Sequence, residues 1–332
     1  MRICIGIIGI GRFGINYLRA FNKLDGAQVS WICSRNKNNL DKIRNEMHLS
    51  AKATVDYKDI LMDKDVDAVA IVTPAATHYK IAKEALLAGK HVIVEKPVTT
   101  SSKECVELIR ISKRKNKVFM AAHIHRYNPG IQKLKENIDA GKFGNINFLH
   151  YTHLGNGPVR ADINALWDFF PHALTICNYL FDEIPISVSA NGACFLRDKI
   201  QDIASVGLKY KNGAYATATV SWLYPFKRME LAVSGEKLSA SFDDYASEEK
   251  LKYYGNAPKI MDGKPIIAGK GYTPQDIGKT RPLTAELEHF LDCVRNNKEP
   301  LTGGNEALKV IKILEYAQKS LDKGGREVEV RL

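Results

Sequence analysis

Short apolar runs alternate with helical patterns along roughly the first third of the chain. The first run is rich in β-branched residues, and the apolar positions that follow it recur three and four residues apart, as in a helix with one buried face. Such alternation indicates a parallel, doubly wound α/β sheet. We predict strands over residues 68–73, 91–94 and 118–122, helices that begin near Arg12, Asn38 and Thr77, and a capping box at Ser101-x-x-Glu104.

The pattern changes after residue 123. Asn128-Pro129 predicts a capped helix with proline at its first position, and that helix ends near Gly141. Turns such as Lys211-Asn212-Gly213 indicate hairpins between the strand-like runs that follow, and hence a mainly antiparallel sheet. The runs lie at 145–153, 186–195, 205–210, 214–222, 229–234 and 237–242; residues 243–282 are turn-rich, and helical patterns return at 284–295 and 305–321.

The first apolar run ends in a glycine-rich segment, Gly9-x-Gly11-x-x-Gly14, and a helical pattern follows at once. A strand, a glycine turn and a helix in this order form the fingerprint of a dinucleotide site, whose phosphates bind at the helix N-terminus. In this interpretation Gly9 permits a tight turn, Gly11 lets the backbone approach a pyrophosphate, and Gly14 allows close helix–strand packing. The alternative is a glycine-rich turn without a ligand. The candidate ligand residues are Gly9, Ile10, Gly11, Arg12, Phe13 and Gly14.

The second predicted strand lacks an expected acid. An acidic residue that binds the ribose 2′-hydroxyl normally lies about twenty residues after the glycines. Here that region carries Ser34 and Arg35 instead. A hydroxyl and a guanidinium suit a 2′-phosphate, because arginine forms charge-assisted hydrogen bonds with phosphate. We therefore favour NADP over NAD as the cofactor, and the alternative is that Arg35 is an exposed loop residue.

Two further predicted strands end in residues that suit a ligand site. One ends at Thr73-Pro74 and the next at Glu95-Lys96-Pro97. Parallel strands share a carboxyl edge, and open α/β sheets bind their ligands there. Pro97 restricts Lys96 to extended backbone and so fixes its direction. Taken alone, Glu95 and Lys96 are more typical of a surface ion pair beside a turn.

Asp168 and His172 are the main candidates in the second half of the chain. They are four residues apart, so they lie on one face of a helix. A carboxylate near an imidazole orients the ring and stabilises its protonated form, as for a general base. The alternative is an ion pair at a helix start. Because Pro171 is unfavourable inside a helix, we predict that the helix begins near Phe170 and that Asp168 lies in the preceding turn.

The composition, 45% hydrophobic and 26% charged over 332 residues, is typical of a globular protein with two domains. The net charge of +11 favours anionic ligands, but the lysines form no long basic run, so we expect no nucleic-acid partner. No apolar stretch reaches the about 20 residues of a membrane span, and the opening strand lacks a signal-peptide cleavage site. Six cysteines without C-x-x-C spacing or a histidine cluster predict reduced thiols, a cytoplasmic protein and no metal site.

Taken together, the motifs resemble those of the Gfo/Idh/MocA oxidoreductases over nearly the whole chain. Each motif is common alone, whereas all five in this order are specific. The resemblance implies a Rossmann domain with a doubly wound parallel sheet over 1–123, and an α+β domain with an open, mainly antiparallel sheet over 124–332. The second domain binds substrate and commonly forms homodimers or homotetramers. The five motifs are Gly9-x-Gly11-x-x-Gly14, Thr73-Pro74, Glu95-Lys96-Pro97, Arg126-x-Asn128-Pro129 and Asp168-x-x-x-His172.

The resemblance implies that Lys96, Asp168 and His172 are the catalytic residues of an NAD(P)-dependent dehydrogenase. In the implied mechanism, His172 takes the proton of a sugar hydroxyl while hydride passes from carbon to nicotinamide. Lys96 stabilises the developing alkoxide, and Asp168 orients the imidazole. The implied cofactor residues beyond the glycine loop are Ser34, Arg35, Thr73, Pro74, His78, Glu95 and Lys96. The implied substrate residues are Arg126, Arg160, Trp167 and His172, although Arg160 is equally typical of a loop surface charge.

The segment 160–172 resembles members of the family that act on nucleotide-activated amino sugars, the UDP-N-acetylglucosamine 3-dehydrogenases in particular. Other sugar or cyclitol dehydrogenases and ketosugar reductases are the alternatives. The same fold also serves cofactor-sensing regulators without catalysis, although a pure binder has no need of lysine, aspartate and histidine together. A reductase of non-sugar substrates, of the dihydrodiol or biliverdin type, is a further alternative that a substrate panel separates.

Overall fold

The structure is a computed structural model that describes residues 2–47, 50–255, 259–266 and 271–331. The chain divides into two compact units, one of Met1–Ile124 with Arg281–Ile311 and the other of His125–Thr280 with Lys312–Leu332. The predicted boundary after residue 123 lies one residue from the observed division. Residues 281–311 were expected in the second domain, and in the structure they group with the first unit.

The first unit contains a parallel sheet with the strand order β3-β2-β1-β4-β5-β6, the order of a dinucleotide-binding Rossmann fold. The predicted doubly wound sheet is therefore confirmed, while β3 and α3 had no clear sequence signal. The strands are β1 (Ile3–Ile8), β2 (Ala27–Cys33), β3 (Lys52–Thr54), β4 (Ala68–Ile71), β5 (His91–Glu95) and β6 (Phe119–Ala122). The helices between them are α1 (Gly14–Phe21), α2 (Lys37–Glu46), α3 (Tyr57–Met62), α4 (His78–Leu87) and α5 (Ser102–Lys115).

Helix α5 begins as predicted but without the predicted capping box. Ser101 is its N-cap residue, yet the Ser101 side chain makes no capping hydrogen bond. The Ser101 carbonyl instead accepts hydrogen bonds from the Cys105 amide and the Thr99 hydroxyl. The helix start is thus held by the backbone of Ser101, and the capping-box part of the prediction is wrong.

The returning segment 281–311 completes the core of the first unit. Helix α8 (Pro282–Asn296) buries Leu287, Phe290 and Leu291 and packs against α1. Further along, Thr302 and Ala121 exchange backbone and side-chain hydrogen bonds of 2.7–2.8 Å at β6. Because these contacts join distant parts of the chain, a single boundary drawn along the sequence assigns residues 281–311 to the second domain.

The second unit contains a nine-stranded sheet with the order β16-β13-β12-β11-β7-β10-β9-β8-β17. Its pairs are antiparallel except β7 with β10, so the predicted mainly antiparallel sheet is confirmed. The strands are β7 (Ile146–Asn156), β8 (Ser187–Ala193), β9 (Ile203–Lys209), β10 (Tyr215–Ser221), β11 (Leu223–Gly235), β12 (Ser239–Asp243), β13 (Leu251–Tyr254), β16 (Thr273–Gln275) and β17 (Val328–Glu329). A separate hairpin pairs β14 (Lys259–Met261) with β15 (Lys264–Ile266).

Helices α6 (Pro129–Asp139) and α7 (Ala165–Phe181) pack on one face of this sheet. The N-cap of α6 is as predicted, since the Asn128 side chain accepts a hydrogen bond from the Gly130 amide and Pro129 follows it. Apolar side chains point to the helices from alternate strand positions, such as Leu149 and Ala216, which are fully buried. Helix α9 (Gly304–Asp322) contributes its residues from Lys312 onward to this unit.

The other face of the nine-stranded sheet carries exposed aromatic side chains. Phe148 on β7 and Tyr215 on β10 are register neighbours, and each keeps more than a third of its surface exposed. Among the described residues, no helix is both long enough and apolar enough to cross a bilayer.

Candidate active site

The glycine loop between β1 and α1 has the geometry that its sequence predicts. Gly9 has a φ of +104°, and a Cβ there would lie 2.5 Å from the Val72 carbonyl oxygen. A Cβ on Gly14 would lie 2.0 Å from the Gly9 oxygen, so the tight turn and the close helix packing both require glycine. Around Gly11, by contrast, no heavy atom of the described residues, apart from Gly11 and its two neighbours in the chain, lies within 4 Å of the position that a Cβ would take. The backbone at Gly11 is therefore open to a ligand.

Ser34 and Arg35 follow β2 beside this loop. The Cys33 carbonyl accepts hydrogen bonds from the amides of Gly9 and Ile10, which joins the strand end to the loop. The Ser34 hydroxyl accepts a hydrogen bond of 3.3 Å from the Asn36 amide at the start of α2, and the Arg35 side chain is exposed. A hydroxyl and a guanidinium thus lie near the glycine loop, without a carboxylate at either position.

His78 joins two of the predicted ligand-binding strand ends. Its Nε2 lies 2.7 Å from the carbonyl oxygen of Thr73, and its Nδ1 lies 2.8 Å from that of Pro97. Carbonyl oxygens only accept hydrogen bonds, so a neutral imidazole with one N–H satisfies one of them, whereas the imidazolium form donates to both. The ring is only 1% exposed, so solvent does not compete for these contacts. His78 therefore joins the ends of β4 and β5 through their backbone, and its contact with a cofactor stays a prediction.

Glu95 and Lys96 lie at the carboxyl end of β5. One carboxylate oxygen of Glu95 accepts a hydrogen bond of 2.8 Å from the Tyr17 hydroxyl on α1, and the other accepts one of 3.1 Å from the Lys96 amide. The side chain of Lys96 is half-buried. Burial raises the pKa of Tyr17 well above its usual value, and the nearby Glu95 carboxylate raises it further. Glu95 is thus held between α1 and the backbone of Lys96, which fixes the strand end relative to the glycine loop.

A second carboxyl group lies buried near Glu95. Glu286 on α8 is 0% exposed, and neither of its oxygens has a hydrogen-bond partner among the described residues. Burial raises the pKa of Glu286 well above its usual value, and the charge of Glu95 raises it further. Both effects favour the neutral, protonated form of Glu286. Its burial could not be predicted from the sequence, because a glutamate in an amphipathic helix is usually exposed.

These features fit a dinucleotide. The loop at Gly11 leaves open space at the N-terminus of α1, where backbone N–H groups attract phosphate. The ends of β1, β2, β4 and β5 share the carboxyl edge of one parallel sheet, where open α/β folds bind nucleotides. Thr73 is half-buried and Pro74 is exposed at that edge. The sequence-predicted cofactor residues of the first unit are thus brought to one edge, with His78 and Glu95 as supports of its loops.

Helix α7 in the second unit begins earlier than the sequence predicted. It starts at Ala165, and its N-cap residue Asn164 accepts a hydrogen bond of 3.1 Å from the Trp167 amide. Pro171 therefore lies inside the helix, and Asp168 lies in its first turn. Every residue from 165 to 177 except Phe169 is buried. Burial of this apolar helix outweighs the about 3 kcal/mol that an interior proline costs, so the predicted start near Phe170 is wrong.

Asp168 is fixed by two partners within the second unit. Its Oδ2 accepts a hydrogen bond of 3.2 Å from the indole N–H of Trp222, and its Oδ1 lies 3.6 Å from the guanidinium of Arg160. Arg160 also donates two hydrogen bonds of 3.0 Å to Asp162. Arg160 thus has two carboxylate partners and is not a free loop charge. His172 follows Asp168 by one helical turn, and both side chains are at least 90% buried.

The other two predicted substrate residues have packing roles. The Trp167 indole donates a hydrogen bond of 3.1 Å to the Gln318 side chain on α9, and Trp167 is buried. The guanidinium carbon of Arg126 lies 3.2 Å from the ring centre of Tyr179, a cation–π contact that covers one of its faces. Their place in substrate binding stays a prediction.

Two histidines that the sequence analysis did not single out lie beside His172. His125 follows β6 in a short 3₁₀ turn, and its ring centre lies 4.6 Å from that of His172 in a perpendicular arrangement. His153 on β7 stacks on Phe169 and lies 5.5 Å from His172. His125 could have been identified from the sequence, because it adjoins the Arg126-x-Asn128-Pro129 motif. His153 lies in a strand without a motif, so the sequence did not mark it as a site residue.

Comparison with known families accounts for most of the chain. Residues 3–123 match the GFO/IDH/MocA oxidoreductase family, NAD-binding Rossmann fold, and residues 131–241 match the GFO/IDH/MocA C-terminal domain. A UDP-N-acetylglucosamine 3-dehydrogenase from Acidithiobacillus ferrooxidans is 28% identical over 309 residues, which cover 92% of this chain and 93% of the relative. A myo-inositol 2-dehydrogenase from Thermotoga maritima is 26% identical and covers 96% of each chain.

Solved structures agree with these matches. The UDP-N-acetylglucosamine 3-dehydrogenase from A. ferrooxidans aligns with a TM-score of 0.83 at 25% identity, over 97% of this chain and 98% of the other. A levoglucosan dehydrogenase in complex with NADH and levoglucosan aligns with a TM-score of 0.84 over the whole of both chains, and at 21% identity it shows the shared fold. The protein therefore belongs to the GFO/IDH/MocA oxidoreductases and is an NAD(P)-dependent dehydrogenase with a Rossmann domain and a mainly antiparallel second domain.

Proposed function

We propose that this enzyme transfers a hydride between nicotinamide and a hydroxyl-bearing carbon of a sugar or nucleotide sugar, with UDP-N-acetylglucosamine oxidised at its 3-position as the specific candidate. The similarity to a UDP-N-acetylglucosamine 3-dehydrogenase over more than nine-tenths of both chains supports this choice. The net charge of +11 also favours an anionic substrate such as a sugar bound to a diphosphate.

The observation that carries the proposal is the fixed carboxylate one turn before His172. A general base needs a set ring orientation and a nearby group that stabilises its protonated form. Asp168 is suited to both tasks, because Trp222 and Arg160 hold its carboxylate in a buried position. In the proposed oxidation His172 takes the hydroxyl proton, and for ketone reduction it returns that proton.

Lys96 has the proposed role of stabilising negative charge on the substrate oxygen. An ammonium group that is aimed at a developing alkoxide lowers the barrier, because it interacts more strongly with the transition state than with the alcohol. Its direction is supported by the hydrogen bond from its own amide to Glu95. The bound nicotinamide supplies the hydride acceptor or donor, and the protein supplies orientation and charge.

NADP is the proposed cofactor form. Ser34 and Arg35 lie where NAD-specific members of such folds carry an acid, and Arg35 is exposed and suited to a 2′-phosphate. The Arg160 side chain is 23% exposed and stays a candidate contact for a substrate phosphate. Arg126 and Trp167 are proposed to shape the substrate side from their packed positions.

Two measurements test the proposal. The purified protein is titrated with NADPH and with NADH while nicotinamide fluorescence is followed, and tighter NADPH binding supports the 2′-phosphate site. Turnover is then measured with UDP-N-acetylglucosamine, free N-acetylglucosamine, myo-inositol, a dihydrodiol and biliverdin. Preference for the UDP-sugar supports the specific candidate. Turnover of the dihydrodiol or biliverdin alone, or cofactor binding without any turnover, contradicts the sugar dehydrogenase.

We also propose that the exposed sheet face forms a homodimer or homotetramer. Phe148 and Tyr215 form an apolar pair on that face, and unpaired aromatic surface favours association. Light scattering after size exclusion is expected to give a multiple of 37.1 kDa. Phe148→Asp is expected to shift the protein toward the monomer, and a wild-type monomer contradicts the proposal.

A further inference from the structure

The imidazoles of His125, His153 and His172 form a cluster within the second unit. One ring nitrogen from each residue can be chosen so that the three atoms lie within 4.8 Å of one another. A point therefore exists within about 2.8 Å of all three atoms, whereas zinc–nitrogen bonds are about 2.0–2.1 Å long. Inward movement of each ring by about 0.8 Å or less, through small side-chain rotations, would bring the three nitrogens to bonding distance.

The surroundings of the cluster suit metal coordination. His153 shares a hydrogen bond of 3.0 Å between its Nδ1 and the hydroxyl of Tyr151, two residues before it on the same face of β7. This contact engages Nδ1 and leaves Nε2 as the ligand atom in the proposal below, as second-shell partners of metal-binding histidines do. The stacking of His153 on Phe169, with ring centres 4.2 Å apart, further limits its rotation.

The cluster is largely shielded from solvent. His125 and His172 are 8% and 7% exposed, and His153 is half-buried. Imidazole is a preferred ligand of zinc and other late first-row metals, and three histidines leave a fourth position for water or substrate.

We propose that His125, His153 and His172 form a binding site for one Zn²⁺ or a similar divalent transition-metal ion. The ion takes the lone pair of His172 that would otherwise accept a proton. Metal binding therefore inhibits the dehydrogenase, and chelation restores it. The binding part of this proposal is independent of the proposed function, and the inhibition part rests on it.

Binding is tested with the full-length, tag-free protein by isothermal titration with Zn²⁺ and by visible absorption on titration with Co²⁺. The background carries Cys194→Ser, because Cys194 is exposed and thiolates bind zinc. We expect one saturable site per chain and the intense absorption of tetrahedral Co²⁺. His125→Phe and His153→Phe are each expected to weaken binding by more than about tenfold, since even outer-shell changes have effects of that size.

The matched control is His150→Phe, which removes a histidine of the same strand whose Nδ1 contacts Thr217. It is expected to leave both titrations unchanged. Fluorescence titration with the nicotinamide cofactor checks that each variant is folded in its first unit, and circular dichroism checks the second. Unchanged metal affinity in both His125→Phe and His153→Phe, or no saturable binding by the parent protein, overturns the proposal.

Inhibition is then measured with the substrate that gives turnover. We expect Zn²⁺ to lower the rate, ethylenediaminetetraacetate to restore it, and His153→Phe to be less sensitive to Zn²⁺ than the parent. Metal binding without inhibition overturns the placement of the ion on His172. If no substrate is turned over, the titrations alone still decide the metal site, and the failure belongs to the proposed function.

Discussion

The hydroxyl of Tyr17 donates a hydrogen bond of 2.8 Å to Glu95, and this bond joins helix α1, after the glycine loop, to the strand end that carries Lys96. Tyr17 is 1% exposed and Glu95 is half-buried, so the bond is largely shielded from water. The cofactor loop and the proposed catalytic lysine are thus held by one buried contact. Changes at Tyr17 are expected to affect both.

Tyr17→Phe keeps the ring and removes this hydrogen bond. Bonds to charged groups contribute about 1.5–3 kcal/mol, so we expect the free energy of unfolding to fall by about that amount and cofactor affinity to weaken. Urea denaturation and NADPH fluorescence measure the two effects. Tyr57→Phe is the control, because Tyr57 makes a bond of the same length to Glu84 at a half-buried position. An equal loss in both variants would contradict a special role for Tyr17.

Glu286→Gln is expected to change how stability depends on pH. The pKa of Glu286 is raised in the folded protein, so the folded state keeps a proton that the unfolded state releases above about pH 4.5. Wild-type stability therefore falls as pH rises above that value, by up to about 1.4 kcal/mol per pH unit, until the folded-state pKa is reached. Glutamine cannot ionise and removes this loss.

Urea midpoints at pH 5 and pH 8.5 measure the effect of Glu286→Gln. We expect the wild type to lose more stability than the variant between pH 5 and pH 8.5. Glu288→Gln, at an exposed position of the same helix, controls for the loss of a carboxylate. Parallel pH profiles for wild type and Glu286→Gln would show that Glu286 is not the neutral buried acid.

Lys96→Ala is expected to lower kcat by about 10²–10³, the usual effect of removing a donor that stabilises an oxyanion. Binding of NADPH should be largely retained, because the phosphate-binding loop is unchanged. Steady-state kinetics and cofactor titration measure the two quantities. Lys83→Ala removes a lysine from the same unit that pairs with Glu107 on the surface, and it should leave kcat unchanged. Full turnover by Lys96→Ala removes Lys96 from the mechanism.

Trp222→Phe keeps a large buried ring and removes the N–H that binds Asp168. We expect kcat to fall about tenfold, because a hydrogen bond to a charged group contributes about 1.5–3 kcal/mol and only part of it changes in the transition state. Trp31→Phe is the control, since its indole donates a hydrogen bond to Asp63 in the first unit. An equal or larger loss of kcat in Trp31→Phe would mean that the Trp222 bond does not position Asp168.

His78→Phe removes the ring nitrogens that lie within hydrogen-bonding distance of the carbonyl oxygens of Thr73 and Pro97. A buried carbonyl that loses its donor costs about 1–3 kcal/mol, so we expect the free energy of unfolding to fall by about that amount. Urea denaturation measures this loss. Tyr79→Phe is the control and should have a smaller effect, because the Tyr79 hydroxyl contacts Glu107 and Lys83 at a half-buried position. An equal or larger loss in Tyr79→Phe would contradict the role of His78 in joining the two strand ends.

Features that depend on residues close together in the chain could be predicted from the sequence. The turn at Gly9 and the packing at Gly14 follow from local backbone geometry, and the alternation of strands and helices gave the parallel sheet. The start of α7 could not be predicted this way, because the burial of a whole helix decides whether Pro171 is tolerated. The histidine cluster depends on residues 28 and 19 positions apart, for which no sequence spacing is diagnostic.

The return of residues 281–311 to the first unit has a consequence for how this protein can be divided and recombined. A fragment that ends at residue 124 lacks the partner of α1 and the hydrogen bonds of Thr302 to β6, so it would expose apolar surface and aggregate. Cofactor specificity could be exchanged between two relatives by a single crossover near residue 124. Such a chimaera would combine α1 of one protein with α8 of the other. A chimaera that transfers both pieces together keeps this packing, and only such a double exchange is expected to fold.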